Sequence, residues 1–194
     1  SYGTYMDIVW NDLMERYIAV GESGLVGLKD INNNFTHGYY SSGQNKKTLT
    51  GIATNGSKLV AVGADGTVLN GKITYDTMSN SVRNQWDLSG ERQNYALQAL
   101  ATNGTSVLAA GGTSVHNSPD GINWTTVTTP DFTTVYDVTY GNGQYVAAGG
   151  NGNVLVSSDG NSWTKYNTGH SQNLLGIHWN GSQYVAVGNS GTIV

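Results

Sequence analysis

The tripeptide Ala-Val-Gly or Ala-Ala-Gly occurs five times along the chain, and this repetition restricts the fold more than any other feature. The copies end at Gly21, Gly63, Gly111, Gly149 and Gly188, so successive copies lie 42, 48, 38 and 39 residues apart. A repeat of this length is one supersecondary unit that buries its apolar face against its neighbours. The chain is therefore expected to contain five similar structural units.

Each unit has the pattern of short strands joined by tight turns. In the fourth copy, the apolar segment 136–140 precedes Asn142-Gly143, and a Val- and Ala-rich segment follows at 145–148. Asn-Gly between apolar segments is the strongest short hairpin signal, because both turn residues adopt positive φ. A further turn at Asn151-Gly152 leads to a third strand, and a Trp-bearing fourth strand follows. Four antiparallel strands in a unit of about 40–45 residues predict a β-propeller blade.

We therefore predict an all-β fold, in which residues 1–194 form a single five-bladed β-propeller domain of four-stranded antiparallel blades, the last blade incomplete. The approximate blade limits are 6–47, 48–95, 96–134, 135–173 and 174–194. The composition agrees, since 27 glycines in 194 residues and only 11% charged residues disfavour long helices. An apolar content of 38% also excludes a chain that is disordered because of its charge.

Two segments carry a more specific pattern. Residues 118–124 and 157–163 both read Ser-x-Asp-Gly-x-x-Trp, at equivalent places in the third and fourth units. The pattern resembles the BNR, or Asp-box, repeat of sialidase-like β-propellers. The first unit has at most a degenerate version at 30–35. No version aligns in the second unit, where Trp86 is a candidate for the Trp position.

The resemblance implies a structural role for the repeated aspartates. Asp120 and Asp159 are expected to bind backbone amides of the turn between the third and fourth strands, while Trp124 and Trp163 pack between blades. The resemblance also places ligands on the face opposite these turns. The candidate ligand-binding residues on that face are Asp7, Glu22, Asp65, Asp137, Asn151 and Asn189. The alternative is that these residues only form turns and strand ends.

Two long insertions interrupt the repeat. Residues 32–47 contain His37, and residues 75–95 contain Arg83 and Arg92. Loops of this length are uncommon without a function, and Tyr and Trp suit polar recognition surfaces. We therefore add three aromatic residues to the ligand-binding candidates: Tyr39, Tyr40 and Trp86. The alternative is that these rings pack against the blades.

The sequence contains no recognisable catalytic or metal-binding set. The chain has 0 Cys, and its four histidines lack ligand spacing, so no metal and no cofactor is expected. Sialidases bind substrate carboxylate through three arginines. Here Arg16 lies in the first hairpin, and the other two arginines share one insertion. We predict that the chain is not an enzyme. A two-carboxylate glycosidase built from Asp7, Glu22, Asp65 or Asp137 is the less favoured alternative.

We expect a non-catalytic binding module that recognises a glycan or protein surface. Non-enzymatic propellers of similar repeat style include lectin-like modules, photosystem II assembly factors and bacteriophage virion or tail proteins. The resemblance implies a virion, tail or secreted assembly, and hence an extracellular or virion location. The alternatives are a purely structural decoration or assembly domain, or a sialidase-like glycoside hydrolase.

The incomplete fifth unit suggests one partner, and the charge of the chain excludes another. A neighbouring chain, or the rest of a larger protein, is expected to complete the last blade, because the fifth unit stops in its third strand. The chain has a formal net charge of -4 and lacks a Lys/Arg cluster beyond Lys46-Lys47, so no nucleic acid is expected. Insertion into a membrane is not expected either, since no apolar run approaches about 18 residues.

Overall fold

A computed structural model describes residues 3–39, 47–54, 58–63, 65–76, 81–88, 96–130 and 134–194. Within these ranges the chain forms eighteen β-strands, three short 3-10 turns and no α-helix. The strands make five antiparallel sheets, so the coarse prediction of an all-β fold is confirmed. No helix in the described part of the chain is long and apolar enough to cross a membrane.

The strands divide between two compact units, residues 1–97 and 98–194. The first unit contains two four-stranded meanders. The first of these consists of β1 (Tyr5–Asn11), β2 (Arg16–Gly21), β3 (Leu25–Asp30) and β4 (Phe35–Tyr39). The second consists of β5 (Leu49–Thr54), β6 (Lys58–Gly63), β7 (Val68–Asp76) and β8 (Ser81–Leu88). Ile18 and Val20 of β2 share one buried core with Ile52 and Leu59 of the second sheet.

The second unit contains two four-stranded meanders and a shorter sheet. The first meander consists of β9 (Ala99–Thr102), β10 (Val107–Gly111), β11 (Ser114–Ser118) and β12 (Thr125–Val127). The second consists of β13 (Val135–Gly141), β14 (Gln144–Gly149), β15 (Asn153–Ser157) and β16 (Thr164–Asn167). The shorter sheet pairs β17 (Leu174–Trp179) with β18 (Tyr184–Gly188). Residues 192–194 add to β18, since Ala186 and Val194 exchange backbone hydrogen bonds of 2.8 and 2.9 Å.

The repeated glycine is explained by a close approach of two backbone segments. A Cβ at Gly21 would lie 2.1 Å from the carbonyl oxygen of Thr4, and a Cβ at Gly188 would lie 2.2 Å from that of Asn173. Each carbonyl accepts the N–H of the residue after the glycine, at 2.9 Å from Glu22 and 3.0 Å from Asn189. The glycine therefore lets the turn after the second strand bind the segment that precedes the first strand.

The Asn-Gly hairpins are of two kinds. Asn142 and Gly143 have φ of 46° and 78°, as predicted. At the equivalent positions 103 and 180 the prediction is wrong, because neither asparagine is among the described residues with positive φ. There the side chain forms the turn: Asn180 Oδ1 accepts the N–H groups of Ser182 and Gln183, each at 2.9 Å. The pair 55–56 lies outside the described residues.

The two insertions contain strand where the structure describes them. Residues 35–39 form β4, and the second insertion lengthens a hairpin formed by β7 and β8. Residues 40–46, 77–80 and 89–95, which include Tyr40 and Arg92, lie outside the described residues. The single-domain assignment stays a prediction.

Candidate functional site

The two Ser-x-Asp-Gly-x-x-Trp segments fold into nearly identical turns. Asp120 Oδ1 accepts the N–H groups of Ile122 and Asn123 at 2.8 and 2.7 Å, and Ser118 Oγ accepts the Gly121 N–H at 2.8 Å. Gly121 has a φ of 77°, in the left-handed region that favours glycine. The backbone bond from Asn123 is the main reason why the pKa of Asp120 falls from 3.8 to about 2.

The second turn repeats each of these contacts. Asp159 Oδ1 accepts the N–H groups of Asn161 and Ser162, both at 2.7 Å, and Ser157 Oγ accepts the Gly160 N–H at 2.8 Å. The backbone bond from Ser162 is the main reason why the pKa of Asp159 is lowered, and the bond from Asn161 adds to it. Both aspartates thus remain ionised and fix their turns. This is the structural role expected for them.

The tryptophans that close the turns differ in burial. Trp163 is 8% exposed and belongs to the core between the two meanders of the second unit, whereas Trp124 is half-buried. The degenerate segment 30–35 in the first unit also forms a carboxylate-centred turn. Asp30 Oδ1 accepts the Asn34 N–H, and Oδ2 accepts its side-chain amide, both at 2.8 Å.

Two of the candidate site carboxylates connect neighbouring sheets. Asp7 Oδ1 accepts the N–H of Ile8, and its Oδ2 accepts the N–H of Ile52 in the next sheet, both at 2.8 Å. Asp137 repeats this arrangement with Val138 and Ile177, again at 2.8 Å. Both aspartates follow a β-bulge in the first strand of their sheet. Burial raises the pKa of Asp7 despite these two bonds.

A cluster of neutral polar residues lies next to Asp137, at the end of the sheets where the second strand turns into the third. Asn173 holds it together. Its Oδ1 accepts the Asn151 N–H at 3.1 Å, its Nδ2 donates to Tyr136 Oη at 3.1 Å, and its backbone oxygen accepts the Asn189 N–H at 3.0 Å. Asn151 and Asn189 are exposed, while Tyr136 and Asn173 are half-buried. We call these four residues the amide cluster.

The structure thus brings two predicted site residues, Asn151 and Asn189, together through Asn173. Asn173 and Tyr136 were not predicted from the sequence. A signal for Asn173 exists, because three of the other units carry threonine at the residue that precedes the first strand. Those threonines are Thr4, Thr48 and Thr134. In the fifth unit the residue at this position is Asn173, whose side chain connects its neighbours.

The other candidates have separate surroundings. Glu22 Oε2 accepts the Thr4 N–H at 2.9 Å. Asp65 accepts a hydrogen bond from Thr67 Oγ1, and its carboxylate lies 3.3 Å from Lys47 Nζ. Tyr39 and Trp86 lie in β4 and β8, where only the strand pairing is described, and Tyr40 lies outside the described residues.

The histidines do not form a metal site in the described ranges, where no group of three or more His, Cys, Asp or Glu side chains could hold a metal ion. His178 is exposed, because its side chain alternates with the buried Ile177. His116 is 1% exposed, and its Nδ1 lies 3.2 Å from Thr126 Oγ1. Burial lowers the pKa of His116 to about 4.

No protein-family model matches the chain, and no curated protein matches it. Among 1017 solved chains with a similar fold is the crystal structure of the computationally designed Ika8 protein. It aligns with a TM-score of 0.68 and 14% identity, over 97% of this chain and 57% of the Ika8 chain. The chain therefore shares its fold with that protein and spans little more than half its length. A fold found so widely does not specify a function.

Proposed function

We propose that the chain is a five-bladed β-propeller of the Asp-box type and that it serves as a non-catalytic module recognising a glycan or a protein surface. The sheet order supports the blade assignment, because four of the five sheets are consecutive four-stranded meanders. The observation that carries the function is the amide cluster. It offers several neutral hydrogen-bonding groups on one exposed end of neighbouring sheets.

The chemistry of the amide cluster suits ligands rich in hydroxyl or peptide groups. Each asparagine side chain can both donate and accept hydrogen bonds, and so can the Tyr136 hydroxyl. The bonds from the backbone N–H groups of Asn151 and Asn189 to Asn173 hold the backbone that carries these two side chains in place before a ligand arrives. Such preorganisation lowers the entropy lost on binding.

Asp137, which follows Tyr136 in the second unit, and its counterpart Asp7 in the first unit support a binding role rather than acid–base catalysis. Both oxygens of Asp137 accept backbone N–H groups, and Asp7 is held in the same way. A general acid or base in a glycosidase must exchange protons with substrate or water. Carboxylates occupied by two backbone donors are better suited to joining sheets.

The proposed setting is a virion, tail or secreted assembly, with an extracellular or virion location. The support is compositional, namely 11% charged residues and a chain rich in glycine and asparagine. The partner would be a glycan or protein receptor. The same composition is compatible with a structural decoration domain, which the binding experiment separates from a recognition module.

The test is a glycan array together with binding to receptor-bearing cells, using two matched variants. Asn151→Gly removes an amide from the cluster at a residue with φ of 59°, which glycine adopts without strain. Asn142→Gly makes the same change at φ of 46°, at the opposite end of the same sheet. We expect binding by the native chain, a loss of about tenfold in Asn151→Gly, and no change in Asn142→Gly.

The outcomes separate the three functional classes. Absence of binding to every glycan and cell type would favour the structural alternative. Equal losses in both variants would show that the amide cluster is not the binding site. Turnover of a sialoside or another glycoside that Asp137→Asn or Glu22→Gln abolishes would overturn the non-catalytic assignment.

A further inference from the structure

Six Asn-Gly pairs occur in the chain, and they have a chemistry that the proposed function does not use. Asparagine is among the thermolabile residues, because its side-chain amide can be attacked by the backbone nitrogen that follows it. Glycine at the next position has no Cβ to block that attack. The pairs begin at Asn55, Asn70, Asn103, Asn142, Asn151 and Asn180. Residue 55 lies outside the described residues, and the structure describes the other five pairs.

The reaction needs water as its only co-reactant. The glycine nitrogen forms a bond to the asparagine Cγ, and the bond from Cγ to Nδ2 breaks. Water or hydroxide carries the proton of the glycine N–H to the leaving nitrogen, which departs as ammonia and leaves a cyclic succinimide. Water then opens the ring at either carbonyl, which yields aspartate or isoaspartate. Isoaspartate has an additional carbon atom in the main chain.

At Asn103 and Asn180 the side chain that would be attacked is already bound. Asn180 Oδ1 accepts the N–H groups of Ser182 and Gln183, each at 2.9 Å. Asn103 Oδ1 likewise accepts the N–H groups two and three residues further on, at 2.9 and 2.8 Å. These hydrogen bonds fix each side chain, so any rotation of Cγ onto the glycine nitrogen requires that they break.

At Asn151 and Asn70 the attacking nitrogen is held instead. The Gly152 N–H donates to the backbone oxygen of Gln172 at 2.7 Å, so the proton that must leave is bound. Gly71 lies inside β7, which pairs with β6 on one side and with β8 on the other. Its N–H therefore points towards a paired strand, and the ladder keeps the nitrogen in place.

Asn142 and Gly143 have neither form of protection. Both residues are exposed, and within the described ranges no hydrogen bond involves the Asn142 side chain or the Gly143 N–H. A Cβ at Gly143 would have no heavy atom within 4 Å, so the turn has open space around it. Asn142 is therefore the least hindered asparagine among the Asn-Gly pairs that the structure describes.

The turn that contains Asn142 is also a contact between neighbouring sheets of the second unit. Tyr184 Oη donates to the backbone oxygen of Gly141, and it lies 3.2 Å from the backbone oxygen of Gln144. These two carbonyls stand on either side of Asn142 and Gly143. Isoaspartate at position 142 would lengthen the main chain between them, so the tyrosine hydroxyl could no longer reach both in the same geometry.

We propose that Asn142 is a modification site, at which the side chain converts spontaneously to aspartate and isoaspartate, and that isoaspartate there weakens the contact of Tyr184 with the turn. The inference is independent of the ligand proposed for the amide cluster, because this turn lies at the opposite end of the same sheet. Asn151, which belongs to the amide cluster, keeps its neutral side chain over the same time.

The experiment measures the deamidation rate of each asparagine in the full chain during incubation at neutral to mildly alkaline pH. Mass spectrometry of proteolytic fragments detects the replacement of –NH2 by –OH, and labelling by an isoaspartyl methyltransferase detects isoaspartate. We expect Asn142 to react at least about tenfold faster than Asn103, Asn151 and Asn180, since hydrogen bonds must break first at those three. Incubation in urea is the matched control, because unfolding removes these bonds and leaves the Asn-Gly sequences unchanged. There the advantage of Asn142 should fall below about threefold.

The consequence for the turn is measured by thermal unfolding of the isoaspartate form after chromatographic separation. We expect its unfolding temperature to be about 2–4 °C lower than that of the native chain, which corresponds to the loss of about one hydrogen bond. Asn142→Gly adopts the φ of 46° without strain and has no amide to lose, so its unfolding temperature should not fall during incubation. In Tyr184→Phe, which lacks the hydroxyl, isoaspartate should lower the unfolding temperature by less.

Each part of the proposal has a result that would overturn it. Reaction at Asn103, Asn151 or Asn180 as fast as at Asn142 in the folded chain would show that Asn142 is not the preferred site. A preference for Asn142 that persists in urea would show that the folded structure is not its cause. Isoaspartate at position 142 with an unchanged unfolding temperature, or an equal decrease in Tyr184→Phe, would overturn the effect on the Tyr184 contact.

Discussion

The charge of Asp120 is expected to stabilise the fold by a measurable amount. Its carboxylate accepts two backbone N–H groups, from Ile122 and Asn123, and its pKa falls from 3.8 to about 2. The difference between these pKa values corresponds to about 2.5 kcal/mol, and the solvent around the turn reduces the expected effect to about 1 kcal/mol. Asp120→Asn keeps the shape of the side chain and removes the charge.

The pH dependence has a definite sign. Because folding lowers this pKa, the ionised carboxylate stabilises the fold above about pH 4, and the contribution is lost as the pH falls towards about 2. Urea denaturation of both proteins between pH 7 and pH 2 measures the difference. The variant should be less stable by about 1 kcal/mol at pH 7, and the two proteins should converge near pH 2.

A matched control is Asp12→Asn, because Asp12 Oδ1 accepts a single side-chain bond, from Trp10 Nε1, which an amide oxygen can also accept. We expect this control to change stability by less than about 0.5 kcal/mol. Equal stability of Asp120→Asn and the native chain at pH 7 would refute the reasoning. A loss that is the same at pH 7 and pH 2 would also refute it, since the charge would then not be the cause.

Three further predictions concern packing. Gly188→Ala should destabilise the fold by at least about 1–3 kcal/mol in thermal unfolding, because the new Cβ would lie 2.2 Å from a carbonyl oxygen; a neutral result would contradict the close approach. Trp163→Ala should cost about 3–5 kcal/mol in urea unfolding, and Trp124→Ala clearly less, because only Trp163 belongs to the buried core; the reverse order would contradict the packing. Burial lowers the pKa of the His116 imidazole from 6.5 to about 4, so NMR should find its titration midpoint near pH 4. As the pH falls from 6.5 to 4, the unfolded chain binds a proton at this group and the fold does not, so the fold loses stability. A midpoint near 6.5 would contradict the burial of His116.

Much of the fold could be predicted from the sequence, because the repeat marks the strands and turns directly. The glycine that ends each Ala-Val-Gly copy marks the end of a second strand, as β2 and β18 show. The closeness of Gly188 to the Asn173 carbonyl could not be predicted, since the two residues meet only after the strands pair. The form of the Asn180 turn could not be predicted either. Its side-chain oxygen accepts the N–H groups of Ser182 and Gln183, and these bonds replace the positive-φ turn that Asn-Gly predicts.

The candidate site could be predicted only in part. Asn151 and Asn189 occupy repeated turn positions, so the sequence identified them individually. Their connection through Asn173 and Tyr136 requires three segments of the second unit to meet. The role of Asp137 depends in the same way on the N–H of Ile177 in the next sheet. Contacts between repeats join residues far apart in the sequence, so the pattern within one repeat does not reveal the partner.

The most direct test of the proposed function is to map a bound ligand onto the chain. For a glycan or receptor fragment found by the binding screen, amide chemical shifts of the isotope-labelled protein are followed by NMR during titration. The account predicts that the largest shifts occur at Asn151, Asn173 and Asn189, with little change at Asn142. Shifts concentrated at Asn142 and at the 118–124 and 157–163 turns, with the amide cluster unaffected, would contradict it.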